Sequence, residues 1–390
     1  MSSDPVRPET DVIHRGEGAR PDATPLTTPV YATTTFLFSN AAELEAYQEG
    51  KGGKYIYSRY ANPTVQAVEE KIAALEGGEC AMVMSSGMAA TSTALFGLLE
   101  AGDEIVCSAA IYGGTLQLIA SFLDRFGVQA RFASLEDLAN LDGVLGPKTR
   151  LVWFESPINP TLRCVDIARV AAACRARGVL SVVDNTFASP INQRPLTLGA
   201  DLVMHSATKY LNGHSDVTAG VLVGSRALTE RLSHARKLVG GVLDPAPASS
   251  LSRGLKTLHL RVARQNETAG RVASWLAADR RVTRVFYPGL ADHPDHEIAK
   301  RQMTGFGGMV TFEVKDYAAA CRVYDRLGII RRAASLGGVE SLCSLPVLTS
   351  QYGFTDEQLA AAGVTRGMIR LSIGLEAPED LIADLYQALS

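Results

Sequence analysis

Residues 149–184 read TRLVWFESPINPTLRCVDIARVAAACRARGVLSVVD. An apolar run at 149–154 is followed by a helix-like segment at 166–177 and a second apolar run at 178–183. Continuous apolar runs of this length suit strands covered on both faces, and the intervening segment suits a crossover helix, so the stretch predicts a parallel βαβ unit. The same alternation extends outward. Similar runs lie at 80–84, 104–108, 128–132, 201–205 and 219–224, with helix-like segments at 88–99 and 115–126. The expected fold class is α/β, with a mostly parallel seven-stranded sheet carrying helices on both faces. Such sheets bind ligands beyond the carboxyl ends of their strands, so functional residues are expected just after the runs.

On either side the pattern changes. Residues 1–60 are rich in Thr, Pro, Gly and Tyr with little helical periodicity, and read as an extended arm. Asn62 then offers a helix N-cap, and Pro63 suits the first helical position. Val65, Val68, Ile72 and Leu75 mark one apolar face, and Gly77-Gly78 stops the helix. Near 240, Asp244-Pro245-Ala246-Pro247-Ala248-Ser249-Ser250 reads as a breaker-rich stretch. A long helical segment follows to about Ala278, then strand-like runs at 282–287, 308–314 and 368–373 and an amphipathic helix from Pro378 to Leu389. The expected division is an arm at 1–60, a large domain at 61–250 and a smaller α/β domain at 251–390.

Composition excludes several classes. Hydrophobic residues make up 46% of the 390 and charged residues 20%, ordinary globular usage that rules out collagen-like repeats, a coiled-coil rod and wholesale disorder. Lys and Arg sum to 38 against 41 Asp and Glu, a formal charge of −3 that gives no bulk attraction to nucleic acid or an anionic membrane. No stretch approaches the roughly 18 apolar residues of a membrane span. Met1-Ser2-Ser3-Asp4-Pro5 carries no apolar signal core, so a cytoplasmic location is expected. Six cysteines without a C-x-x-C pair read as buried free thiols. His293-Pro294-Asp295-His296 lacks further ligands and reads as a solvated loop rather than a metal site, and His205 and His214 as packing residues.

Three clusters carry chemistry. Ser206-Ala207-Thr208-Lys209-Tyr210 closes the run ending at His205; its hydroxyls suit a phosphate ester and its lysine amine suits a carbonyl. Ser85-Ser86-Gly87-Met88-Ala89-Ala90 joins a buried run to a helix, where free backbone N–H groups can cradle a phosphate. Asp184, in Val182-Val183-Asp184-Asn185-Thr186, ends a third run and can hold a ring nitrogen protonated. Taken singly, each has an ordinary reading as a solvated lysine, a tight turn or a turn carboxylate. Together, a phosphate turn, a pyridinium partner and a Schiff-base amine are the inventory of a pyridoxal 5′-phosphate (PLP) site.

The sequence also resembles the Cys/Met-metabolism family of PLP enzymes, the trans-sulfuration enzymes. The resemblance runs through Tyr57-Ser58-Arg59-Tyr60-Ala61-Asn62-Pro63-Thr64, Ser86-Gly87-Met88-Ala89-Ala90, Tyr112-Gly113-Gly114-Thr115 and Glu155-Ser156-Pro157-Ile158-Asn159-Pro160-Thr161-Leu162. It continues through Val183-Asp184-Asn185-Thr186-Phe187, His205 to His214, Ser335 to Leu342 and Ile369 to Glu376. It implies the PLP-dependent transferase fold type I, aspartate aminotransferase-like. It also implies residue roles. Lys209 would be the Schiff-base lysine and proton shuttle, Asp184 the pyridine-nitrogen partner, and Tyr112 a stacking and acid/base group. Gly87, Met88, Ser206 and Thr208 would hold the phosphate, with Thr186 also at the cofactor. Arg370, Asn159 and the Ser341 region would grip the substrate α-carboxylate. Tyr57 and Arg59 would reach the phosphate of a neighbouring subunit, with Tyr57 also near its substrate, in a homotetramer built as a dimer of active dimers.

Within the family, the resemblance points first to a carbon–sulfur lyase acting by γ-elimination, cystathionine γ-lyase-like. The alternatives are γ-replacement, as in cystathionine γ-synthase or O-acyl-homoserine sulfhydrylase, and methionine γ-lyase or cystathionine β-lyase. Gly114 stands where bacterial methionine γ-lyases usually carry Cys. Gln117 stands near where cystathionine-handling relatives often carry Arg, and it cannot pair with a distal carboxylate. Glu340 is retained and suits a distal amino group, whereas Pro346-Val347-Leu348-Thr349-Ser350-Gln351 departs from the family's usual Met-Thr-His.

Overall fold

The computed structural model describes residues 6–15 and 25–390. Residues 1–5, expected to hold no signal core, and 16–24 of the expected arm lie outside them. The seven strands of the larger sheet are β1 (Cys80–Met84), β2 (Glu104–Ser108), β3 (Gln129–Ala133), β4 (Thr149–Glu155), β5 (Leu180–Asp184), β6 (Leu202–His205) and β7 (Gly220–Gly224). Their order is β1-β7-β6-β5-β4-β2-β3. Pairs β6–β5, β5–β4, β4–β2 and β2–β3 are parallel, and β7 runs antiparallel between β1 and β6. Every residue of β7 is buried, as a central strand covered on both faces requires.

Local chemistry explains the helices that frame this sheet. In Pro63–Glu76, the Asn62 side chain accepts from Thr64 N–H at 2.9 Å, and Gly77 ends the helix in the left-handed region at φ 72°. Val65, Val68, Ile72 and Leu75 are buried against β1 and β7, each apolar side chain contributing about 1.5–3 kcal/mol. Helices Gly87–Leu98 and Ile167–Ala176 follow β1 and β4 as crossovers.

A second, five-stranded sheet has the order β10-β11-β12-β9-β8, where β8 is Arg284–Phe286, β9 Met309–Glu313, β10 Arg331–Arg332, β11 Leu342–Ser344 and β12 Met368–Ser372. Helices Leu258–Ala278, Tyr317–Arg326 and Pro378–Leu389 share its core. Strands β10 and β11 were not anticipated, because two and three residues are too short to show a period.

Three expectations need correction. The stretch 244–250 opens a helix instead of breaking the chain. Asp244 caps Pro245–Leu255 by accepting from Ala246 N–H at 3.0 Å, and proline is tolerated in a first turn whose N–H groups lack intrahelical acceptors. The arm contains two short helices, Pro8–His14 and Ala41–Gln48. The 293–296 segment is not a solvated loop, since His293 and Asp295 are each only 6% exposed. Cys107, Cys164, Cys174 and Cys343 are buried, whereas Cys80 and Cys321 are partly exposed. Among the described residues no helix is long and apolar enough to cross a membrane, and no cluster of His, Cys, Asp and Glu is placed to hold a metal.

Candidate active site

A cavity of about 560 Å³ opens at the carboxyl ends of the parallel strands. Glu155 and Asp184 are the last residues of β4 and β5, and they stand opposite each other in the register. Ser206 follows β6, and Ser86, Gly87 and Met88 follow β1. The far wall comes from the second sheet, with Arg370 in the middle of β12 and Ser335 in the segment between β10 and β11.

The phosphate-type turn is built from a helix start and a close approach. Ser86 caps Gly87–Leu98 by accepting from Ala89 N–H at 3.0 Å, so the N–H groups of Gly87 and Met88 have no intrahelical acceptor. A Cβ on Gly87 would stand 3.0 Å from Ser206 Cβ and 3.1 Å from its Oγ. Glycine therefore lets this backbone approach the serine hydroxyl. Thr208 Oγ donates to Ala219 O at 3.2 Å and accepts from Ala219 N–H at 3.0 Å, which ties the Lys209 turn to the start of β7.

Lys209 Nζ donates to Ser335 Oγ at 2.9 Å. Burial, aided by the Arg370 charge, holds its amine below the ordinary lysine range. Asp184 Oδ1 accepts from both Thr186 N–H (3.0 Å) and Thr186 Oγ (2.5 Å), while Thr186 Oγ accepts from Ser206 N–H at 2.9 Å. Burial raises the Asp184 carboxyl, against the pull of the Thr186 hydrogen bonds. Burial, and then the neighbouring Asp184 charge, raise Glu155 further. A cation held beside this pair would favour their ionised forms.

Arg370 is 6% exposed and its guanidinium is pulled down to about 10 by burial, so it remains a cation at neutral pH. Its Nη1 donates to Asn159 Oδ1 at 2.8 Å and its Nη2 to Ser335 O at 3.3 Å, while its buried Nε has no partner among the described residues. An unsatisfied buried donor on a cation suits an incoming carboxylate. The Tyr112 ring rests against Gly114, where a Cβ would stand 2.6 Å from Tyr112 Cε1. Its backbone N–H donates to Glu155 Oε2 at 3.0 Å.

The cavity thus brings together Gly87, Met88, Tyr112, Asn159, Asp184, Thr186, Ser206, Thr208, Lys209 and Arg370. Four proposed residues lie outside its lining. Ser341 is spent on Glu376, donating through N–H and Oγ at 2.7 Å each, and Glu340 accepts from Ser215. Arg59 lies over the rings of Tyr57 and Tyr60 and donates to Lys237 O at 2.7 Å. His205 pairs with Glu76 in the core and His214 with Asn212 O, and neither lines the cavity. Sequence reading missed Glu155 and Ser335. Glu155 had a signal, its place at the end of a buried run: β4 extends one residue beyond the apolar run 149–154. Ser335 lies outside the strands, and its one signal is that it opens the resembling segment 335–342.

Comparison with known proteins decides the family. The description "Cys/Met metabolism PLP-dependent enzyme" matches residues 9–390. The chain belongs to this family. It is 44% identical over 383 residues to the chloroplastic cystathionine γ-synthase 1 of Arabidopsis thaliana, covering 97% of this chain and 68% of that one. It is 43% identical to the L-methionine γ-lyase of Pseudomonas putida, covering 97% and 96%. The crystal structure of cystathionine γ-lyase from Lactobacillus plantarum complexed with L-serine superposes with a TM-score of 0.91 at 37% identity over 98% of both chains. The protein is therefore a PLP-dependent trans-sulfuration enzyme with that family's α/β fold. Its residues fit the cofactor: the Gly87 cradle, the buried carboxylate at Asp184 and the depressed amine at Lys209 supply the three kinds of contact that PLP needs.

Proposed function

We propose that this enzyme is a carbon–sulfur lyase that acts on sulfur amino acids by γ-elimination, giving 2-oxobutanoate, ammonia and, from cystathionine, cysteine. The observation that carries the amino-acid substrate is a shared partner: Lys209 Nζ donates to Ser335 Oγ at 2.9 Å and Arg370 Nη2 to Ser335 O at 3.3 Å, so the amine and the carboxylate grip lie side by side. A substrate whose carboxylate meets Arg370 would place its Cα near Lys209.

When bound, the cofactor supplies the electron sink that allows the α-proton to leave. The chain's own groups do the rest. The N–H groups of Gly87 and Met88, with the hydroxyls of Ser206 and Thr208, hold the phosphate. Asp184 keeps the ring nitrogen positive, and Thr186 fixes its carboxylate. Lys209 Nζ removes the proton from Cα and moves protons at the neighbouring carbons, and the Tyr112 hydroxyl serves as a second acid/base group. Tyr57 and Arg59 stand apart from this chain's own cavity, which supports the reading that they serve a neighbouring subunit of a homotetramer.

The cavity wall suits elimination of an uncharged thioether arm better than replacement by an amino acid. Beyond Glu155, Asp184, Lys209 and Arg370, none of its lining residues is charged. An incoming zwitterionic amino acid would find no spare charge among these lining residues, and neither would the distal end of cystathionine, so the wall favours elimination of an uncharged thioether arm such as that of methionine. The similarity to cystathionine γ-synthase favours γ-replacement as the second reading. Product analysis separates them. Keto acid and ammonia from cystathionine or methionine support elimination, whereas cystathionine or homocysteine formed from an acylated homoserine overturns it.

Two substitutions test the roles. Arg370→Ala should mainly raise KM for amino acids, about 10- to 100-fold, the worth of hydrogen bonds to a charged group; an unchanged KM counts against the carboxylate role. Tyr112→Phe should lower kcat by about 10²- to 10⁴-fold, the range for one acid/base group, and still leave turnover that a coupled keto-acid assay detects.

A further inference from the structure

Asp295 lies between β8 and β9, away from the cavity, yet it holds the loop that delivers Asn159. Its carboxylate takes three hydrogen bonds from the loop after β4. Arg163 donates through Nε to Oδ2 at 2.5 Å and through Nη2 to Oδ1 at 3.2 Å, and Cys164 N–H donates to Oδ2 at 2.9 Å. Paired donors on one buried carboxylate fix orientation as well as distance. Arg163 in turn closes a tight turn onto the neighbour of Asn159. Ile158 N–H donates to Arg163 O at 2.9 Å, and Leu162 N–H donates to Ile158 O at 2.6 Å. Thr311 of β9 donates to Pro160 O at 2.7 Å. Asn159, presented by this turn, meets Arg370.

The residues after Asp295 grip the stems of the same loop. In helix His296–Gln302, Gln302 Nε2 donates to Val165 O at 3.0 Å, and Arg301 pairs with Asp166 at 2.6 Å. His293 braces Asp295 from behind, its Nδ1 accepting from Asp295 N–H at 3.2 Å. Burial holds the His293 ring down to about 4, so it stays neutral and keeps this acceptor role at neutral pH.

We propose that Asp295 is a positioning residue for substrate recognition: by clasping Arg163 and Cys164 it fixes the 158–163 turn, and through Asn159 it sets the Arg370 guanidinium for the substrate α-carboxylate. This rests on the reading of Arg370 given above. Arg163 is joined to the carboxylate grip by the turn and not by contact with substrate, so the clasp should act on binding and leave the proton-transfer groups in place.

The test uses the PLP-loaded Asp295→Asn enzyme, since asparagine keeps the shape but presents one acceptor oxygen to three donors. KM for the amino-acid substrate should rise about tenfold, with kcat changed by no more than about twofold and the visible cofactor spectrum unchanged. The dissociation constant of norleucine should rise in parallel, while that of pentylamine, which lacks the carboxylate, should not. Arg163→Gln should show the same split, and the double variant should be no worse than either single one. Equal weakening of both ligands, or a fall in kcat at constant KM, would overturn the proposal. If Asp295→Asn does not fold, Arg163→Gln carries the same comparison. Should Arg370→Ala remove the preference for norleucine while both clasp variants keep it, this proposal alone fails; should Arg370→Ala keep that preference, the reading of Arg370 fails and the proposal with it.

Discussion

Lys209→Ala should reduce turnover by about 10⁴-fold or more, because it removes both the covalent anchor and the base at Cα. Tyr112, the second acid/base group of the cavity, cannot supply the covalent anchor. Arg370, the other cationic side chain in the lining, stays protonated at neutral pH. Glu155 is held by the N–H groups of Tyr112 and Asn159, and Asp184 by Thr186. Steady-state keto-acid release measures the loss, and wild-type-like turnover would sink the assignment. The same lysine leaves a signature in the cofactor-free protein. Its folded-state pKa lies below the ordinary lysine value of 10.5, so between the two values the unfolded chain binds more protons than the native one. Burying the charged amine therefore costs stability at neutral pH, and that cost is relieved as pH rises through the folded pKa. Lys209→Met should accordingly make the cofactor-free protein more resistant to denaturant at pH 7, and the advantage should shrink toward pH 10.5. A constant or widening difference would show that the amine is not desolvated as described.

The sequence was legible where one residue type does one local job. Asn62, Pro63 and Gly77 bound a helix because each matches the backbone demand of its own position. The runs that became β1, β2, β4, β5, β6 and β7 were visible because strands covered on both faces must be largely apolar. The lysine, the carboxylate and the glycine turn were visible because they fall at strand ends, where this architecture places ligands. What was hidden depends on pairs distant along the chain. Ser341 was expected at the substrate carboxylate, but Glu376 claims both its N–H and its hydroxyl. Asp295 was expected in water, but Arg163 and Cys164 draw it into the interior. Neither partner can be chosen from local periodicity: Ser341 meets Glu376 beside the second sheet, and Asp295 meets Arg163 and Cys164 only where its segment packs on the loop after β4.

Gly220→Ala should strip the enzyme of cofactor, although Gly220 is not part of the glycine turn itself. It pairs with Met84 in the β1–β7 ladder, where the chain leaves β1 and swings into the turn at 85–87. An added Cβ would stand 2.0 Å from Ser86 O, 2.5 Å from Ser86 C and 2.8 Å from Gly87 N. All three atoms are backbone, so no rotamer change relieves the clash; either β7 or the turn must move. The cost should reach about 3 kcal/mol, the upper part of the range for overpacking, and fall on the segment whose N–H groups hold the phosphate. Cofactor affinity should drop by about 10²-fold, the scale on which ångström displacements act at preorganised sites. Gly87→Ala should be milder, since its nearest obstacle, at 3.0 Å, is the Ser206 side chain. Absorbance of the bound cofactor after gel filtration reads the loss, and far-ultraviolet circular dichroism reports whether the sheet survives. Full cofactor retention in Gly220→Ala would mean that the phosphate is held elsewhere, because no phosphate clamp at 86–88 can keep its geometry with a methyl group driven into the Ser86 carbonyl.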